Sequence, residues 1–133
     1  MATFKDAADV DAHIGQIFRE AVGDPELGPR FAESGVVLKL HYTEPTCTMT
    51  ADFPSSAIHF DDDSAPAPNV EMFMKADVAH RFWLGRVNIA AALAKGEMRA
   101  KGPIPKILKM VPLAKSVFPR YTELCEKIPV QVS

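Results

Sequence analysis

The chain has 133 residues, 47% of them hydrophobic and 24% charged, a composition that excludes global disorder and suits one folded domain spanning residues 1–133. No apolar run approaches the roughly 20 residues of a membrane span. Two cysteines, Cys47 and Cys125, are too few for a disulfide scaffold and lack metal-ligand spacing. Neither residues 1–6 nor residues 129–133 read as a targeting signal, so a soluble, cytoplasmic protein is expected. The net charge of −2 conceals an asymmetry: residues 1–66 hold four Lys/Arg and twelve Asp/Glu, whereas residues 67–133 hold eleven and five. A basic half can meet an acidic partner or simply pair with the acidic half. Nucleic acid is not expected, because no aromatics interleave with the Arg and Lys residues and the isoelectric point is near 6.1.

The first element predicted is a helix capped by Asp6, with Val10, Ile14, Ile17, Phe18 and Ala21 on one face and Gly23 as a left-handed C-cap. A turn and a short helical piece around residues 30–33 follow. Residues 36–42 alternate, with Val36, Leu38, Leu40 and Tyr42 on one side. A turn at Glu44-Pro45 leads to a second strand with Cys47, Met49, Ala51 and Phe53 inward. Ile58 and Phe60 mark a third strand, residues 61–68 a polar loop, and residues 69–75 a fourth strand with Val70, Met72 and Met74 on one side. Short successive strands with tight turns suggest an antiparallel meander. The period then changes. Asp77 is expected to cap a helix through Ala79, Phe82 and Trp83, and Asn88 to open a short helix closed by Gly96. A fifth strand over residues 97–101 ends at Gly102. Ile104, Ile107, Leu108 and Val111 fall at i, i+3, i+4 and i+7 and form one apolar helical stripe. Pro112 is expected to bend or end that helix, and a last helix presents Tyr121, Leu124, Cys125 and Ile128.

Signatures of catalysis are absent: no glycine-rich phosphate loop, nucleophile elbow, zinc-protease motif or C-x-x-C occurs. The run His59-Phe60-Asp61-Asp62-Asp63 fails as a calcium loop, because no glycine stands at its sixth position and Met72 stands where a bidentate Glu belongs. His13 reads as structural, His80 as a local partner of Asp77, and the cysteines as small buried hydrophobes. A small enzyme built on His41, His59 and the 61–63 loop is the least supported of three readings. Five of the six methionines lie between Met49 and Met110, and methionine adapts to varied apolar shapes. Core filling and a pocket explain that cluster equally well.

From Asn69 to about Glu126 the sequence resembles the sterol carrier protein 2 family. The resemblance rests on the segment Val70-Glu71-Met72-Phe73-Met74-Lys75-Ala76-Asp77 and on the helix reaching Leu84-Gly85. It rests also on the Ala-rich helix over residues 88–95 and on Gly96-Glu97-Met98-Arg99-Ala100-Lys101-Gly102. It implies an α+β fold in which a five-stranded, mostly antiparallel sheet has helices covering one face. It also implies an apolar cavity between the sheet and the C-terminal helices that binds a fatty acid, acyl-CoA or sterol, with no metal, cofactor or catalytic residue. The expected wall is Val70, Met72 and Met74 facing Phe82, Leu93 and Met98. The expected lid is Ile104, Ile107, Leu108 and Val111, hinged by Gly102 and Pro112, with Lys101, Lys106 and Lys109 at the rim facing a carboxylate, a phosphate or an anionic headgroup. Transient contact with a membrane surface, a homodimer, or service as a substrate-presenting module to a partner enzyme all fit this reading.

Overall fold

The computed structural model describes residues 3–130; of the two ends inspected for targeting signals, residues 1–2 and 131–133 lie outside the described residues. Among the described residues no helix is long and apolar enough to cross a membrane. Helix α1 (Ala7–Val10) opens on Asp6, whose carboxylate accepts the Asp9 N–H at 2.9 Å. It continues through a π-helical turn, Asp11–Gly15, into α2 (Gln16–Gly23), so the predicted helix is present with a widened turn at its centre. Gly23 is not left-handed. Asp24 ends α2 instead, in extended backbone, and its carboxylate accepts the N–H groups of Glu26 and Leu27 that open α3 (Leu27–Glu33). Asp24 thus ends one helix with its backbone and starts the next with its side chain.

The five strands are β1 (Val37–Thr43), β2 (Cys47–Asp52), β3 (Ala57–Phe60), β4 (Val70–Lys75) and β5 (Met98–Lys101). Their order is β3-β2-β1-β4-β5. β4 lies beside β1 and parallel to it, whereas the other three pairings are antiparallel. The sheet is therefore mixed, and the expected simple meander is corrected at this pair. Alternation marks the faces of a strand but says nothing of its neighbour or direction. Asn69 supplies the local determinant. Its amide oxygen accepts the Val37 N–H at 2.9 Å, its amide nitrogen donates to the Gly35 carbonyl, and its backbone N–H donates to the Val37 carbonyl. These bonds fix the start of β4 against the start of β1. The nine-residue connection, residues 61–69, can extend about 30 Å, enough to pass two strands.

One sheet face carries Leu38, Leu40, Tyr42, Cys47, Met49, Ala51, Val70, Met72 and Met98, all buried. The helices cover this face: α2, α4 (Ala76–Trp83), α6 (Ile104–Lys115) and α7 (Phe118–Lys127) each contribute residues to the same apolar cluster. The opposite face is more open and carries Lys39, His41, Glu71, Phe73, Arg99 and Lys101.

Three helix details depart from expectation. Asp77 lies inside the first turn of α4 rather than capping it; Lys75 holds the cap position, and Asp77 accepts the Thr3 hydroxyl and pairs with Arg81. His80 turns away from Asp77 to the Tyr121 hydroxyl, 2.7 Å away. Pro112 stands inside α6, which runs on to Lys115. A proline removes one backbone bond, and here the packed apolar face holds the helix together across that loss. The short helix α5 (Ile89–Lys95) matches its reading, with Asn88 accepting the Ala91 N–H and Gly96 left-handed at φ 79°.

Candidate functional site

The sheet and the helices do not close completely. Between them lies a cavity of about 90 Å³ whose wall is almost wholly apolar. The sheet provides Leu38, Leu40, Tyr42, Met72, Met74 and Met98. Helix α4 provides Ala79, Phe82 and Trp83; α6 provides Ile107, Met110, Val111 and Ala114. The amino-terminal half closes one side with Phe18, Phe31, Val36 and Phe53. These aromatics stack in series: Phe31 on Phe53 at 5.0 Å between ring centres, and Phe18 edge-on to Trp83 at 5.2 Å. Such a chain of rings gives that side a firm wall.

Six of the ten residues expected around a pocket are brought together in this wall: Met72, Met74, Phe82, Met98, Ile107 and Val111. Four are not. Val70 is buried in the general core, one pleat repeat beyond the wall on β4. Leu93 is half-buried on α5, whose wall residue is Ile89. Ile104 and Leu108 are 41% and 40% exposed. Periodicity defines a stripe on a helix but not which of its edges turns inward, and α6 is rotated so that Ile107, Met110, Val111 and Ala114 face the cavity. Sequence reasoning left out the contribution of the first half. The inward parity of Leu38, Leu40 and Tyr42 was its available signal. Trp83 is buried, because α4 packs on two sides rather than offering an exposed aromatic.

The chemistry of the wall is restrictive. Its only polar side-chain groups are the Tyr42 hydroxyl and the Trp83 indole N–H, and burial raises the Tyr42 pKa, keeping the phenol neutral. Cys47, buried on β2, is pushed up to about 11 by burial, with the Asp61 and Asp11 charges adding to it, so its thiol stays protonated and unreactive at neutral pH. Lys101, Lys106 and Lys109 are exposed and take no part in the wall. A charged group inside would be desolvated without a partner, so the interior suits hydrocarbon, with any charged end left outside.

Gly102 joins β5 to the residues that open α6. Its φ is +106°, and an added Cβ would stand 2.6 Å from the Asn69 carbonyl oxygen. Glycine alone lets the chain turn there without displacing the β1–β4 clamp. A wider groove of about 540 Å³ lies on the open sheet face, lined by His41, Phe73, Lys75, Arg81, Lys95 and Arg99 among others. His41 stacks on Phe73 at 4.4 Å and pairs with Glu71, while Lys75 and Arg81 are occupied by Glu44, Asp77 and Glu97. This groove is larger, but its charges largely satisfy one another. The smaller cavity is the better candidate, because its wall is concave and almost wholly apolar, as small-molecule sites are. His59 sits at the far edge of the sheet, 3.3 Å from Asp62, and the described residues hold no cluster of three metal-ligating side chains.

A mixed five-stranded sheet with helices over one face is the sterol carrier protein 2 fold. Solved structures share it. Sterol carrier protein 2 from Yarrowia lipolytica, in its apo form, superposes with a TM-score of 0.64 at 16% identity over 78% of this chain and 88% of that one. The UbiJ-SCP2 ubiquinone synthesis protein gives 0.61 at 19% identity over 81% and 90%. The Aedes aegypti protein in complex with the C16 fatty acid palmitate gives 0.58 at 19% identity over 83% and 94%. No protein-family model matches the chain, and no curated protein matches it.

Proposed function

We propose that the protein binds a long-chain lipid, without catalysing its conversion, in the cavity between the sheet and α6, and passes it between apolar environments. The observation that carries this reading is the wall itself: a cavity lined by hydrocarbon and by the flexible thioethers of Met72, Met74, Met98 and Met110. A fold shared with a palmitate complex supports it. At about 90 Å³ the space falls well below the several hundred Å³ of a formed ligand site. Loading therefore displaces the movable side of the wall, and α6 is that side. Its main backbone neighbour is α3, and it is joined to the sheet through Gly102.

Magnitudes favour such opening. Withdrawing Ile107, Met110 and Val111 from the interior costs on the order of 5 kcal/mol, whereas a sixteen-carbon chain gains on the order of 10 kcal/mol on leaving water. A bilayer offers the chain a similar gain, so release is accessible and exchange follows. A second reading, in which the cavity presents an apolar substrate to a partner enzyme, draws on the likeness to the ubiquinone synthesis protein. Delipidated protein titrated with a fluorescent fatty acid should show saturable binding. Ala114→Phe, which fills the space from α6, should weaken it at least about tenfold, equivalent to about 1.4 kcal/mol, while the circular dichroism spectrum is retained. Folded protein that binds neither fatty acids nor isoprenoid quinones rejects the proposal; preference for a quinone favours the presenting role.

A further inference from the structure

The two polar side-chain groups of the cavity wall stand apart from the other polar groups of the interior. The chain has two tyrosines. The Tyr121 hydroxyl is bonded to His80 at 2.7 Å. Tyr42, 2% exposed on β1, lines the cavity, and its hydroxyl makes no hydrogen bond among the described residues. Its cross-strand neighbours are Cys47, whose thiol donates to the Pro45 carbonyl, and Met74. Neither brings a side-chain oxygen or nitrogen. No fully enclosed side-chain oxygen or nitrogen among the described residues lacks a partner, so the Tyr42 hydroxyl is not sealed in by protein but borders the space. The second group is the indole N–H of Trp83 on α4, a ring packed among Phe18, Phe82 and Phe118, which offer it no oxygen or nitrogen acceptor.

A hydroxyl in such a wall costs stability unless something pairs with it. Phenylalanine fills nearly the same volume without that cost, and it does so at Phe18, Phe31, Phe53 and Phe82 around the same cavity. Burial holds the Tyr42 phenol in its protonated form, so it can donate as well as accept, whereas the indole N–H only donates. An oxygen with free lone pairs accepts from either group. That oxygen must be uncharged, because a carboxylate or phosphate drawn into this wall would lose its water with no cation to face it. A plain fatty acid has its only oxygens at its charged end, which stays outside, and so leaves the Tyr42 hydroxyl unmatched.

We infer that Tyr42 is a specificity-determining residue, and that the lipid this cavity selects carries an uncharged oxygen, as a carbonyl or a hydroxyl, within its apolar body, where it hydrogen-bonds the Tyr42 hydroxyl. The Trp83 N–H is a second available donor. This inference rests on the function proposed above and narrows its ligand. A saturated chain still binds through burial alone and leaves the hydroxyl as it is in the free protein. An oxygenated chain loses the hydration of its own oxygen on entry, and only a partner in the wall restores that loss. The bond therefore decides between oxygenated lipids that place their oxygen at Tyr42 and those that do not.

A matched ligand series on the full chain tests it. The probes are a saturated eighteen-carbon fatty acid and its mono-oxo and monohydroxy derivatives, with the oxygen at successive positions along the chain, each competed against a fluorescent fatty acid. Tyr42→Phe should weaken binding of the best-bound oxygenated derivative at least about fivefold and change that of the saturated acid less than about twofold. The same variant removes a hydroxyl that nothing pairs. The melting temperature of the ligand-free protein should therefore hold or rise, in contrast to Tyr121→Phe, which breaks the bond to His80. Loss confined to the oxo series identifies a carbonyl lipid, loss confined to the hydroxy series an alcohol, and either or both support the assignment. Equal effects on saturated and oxygenated chains, no effect on either, or a melting temperature that falls as in Tyr121→Phe overturns it; saturated-acid binding in the parent then leaves the function proposed above standing. If no member of the series binds the folded parent, that function falls and the assignment of Tyr42 with it.

Discussion

Tyr121 and His80 illustrate how single residues hold the helices over the sheet. Tyr121 is wholly buried on α7, and its hydroxyl shares a 2.7 Å hydrogen bond with Nδ1 of His80 on α4. Burial lowers the His80 pKa and raises that of Tyr121, so both are neutral partners. Tyr121→Phe keeps the ring and removes the bond, leaving a buried imidazole nitrogen unpaired. Unfolding in urea should show a loss of about 1–3 kcal/mol; an unchanged midpoint would mean water replaces the hydroxyl. His13 plays a related part. Wholly buried in the π-helical turn, it places its ring nitrogens 2.9 Å from the Asp9 carbonyl and 2.5 Å from the Ile128 carbonyl, joining the first helix to the end of the last. Its isolation from other ligating residues marked it as structural in the sequence, but its partner 115 positions away was invisible there. The same holds for His80: a sequence-near acid was the only partner the sequence could offer, and the fold supplied a distant tyrosine.

Between elements, the link from Asp24 to Arg120 joins the α2–α3 corner to α7. The Asp24 carboxyl is lowered from 3.8 to about 2, first by the Leu27 N–H and then by Arg120. Because the folded value lies below the unfolded one, the stabilisation is present above about pH 4 and is lost as pH falls toward 2. Asp24→Asn removes this dependence. The difference in melting temperature between parent and variant should therefore be greatest near neutrality and shrink between pH 4 and pH 2; a constant gap across that window would refute the assignment. The element scale also shows what alternation and periodicity can and cannot supply. The faces of β1, β2 and β4, the Asn88 cap and the Gly96 stop follow from local residue chemistry. The pairing of β4 with β1 depends on Asn69 reaching Val37 and Gly35, a long-range contact with no local signature. The rotation of α6 depends on what lies beneath it, so two of the four expected lid residues face outward.

At the scale of the whole molecule, the resemblance to the sterol carrier protein 2 family led to the right layers and to a space between them, and six of the wall residues were legible in the second half. The size of the space was not legible, since it depends on how Phe31, Phe53 and Phe18 from the first half stack in series up to Trp83. The result is a small apolar cavity with four methionines in its wall and a proline-interrupted helix over it. Such a wall yields without breaking, because thioether side chains change rotamer at little cost. The central claim is that a long-chain ligand enters this space and no other. Methyl-labelled methionine spectra recorded during a fatty acid titration test it most directly. Met72, Met74, Met98 and Met110 should shift in a saturable manner, while Met49, which stands beside the wall residue Leu40 without lining the cavity, should move less. Shifts at Met49 alone, or none at the four wall methionines despite measured binding, would contradict it.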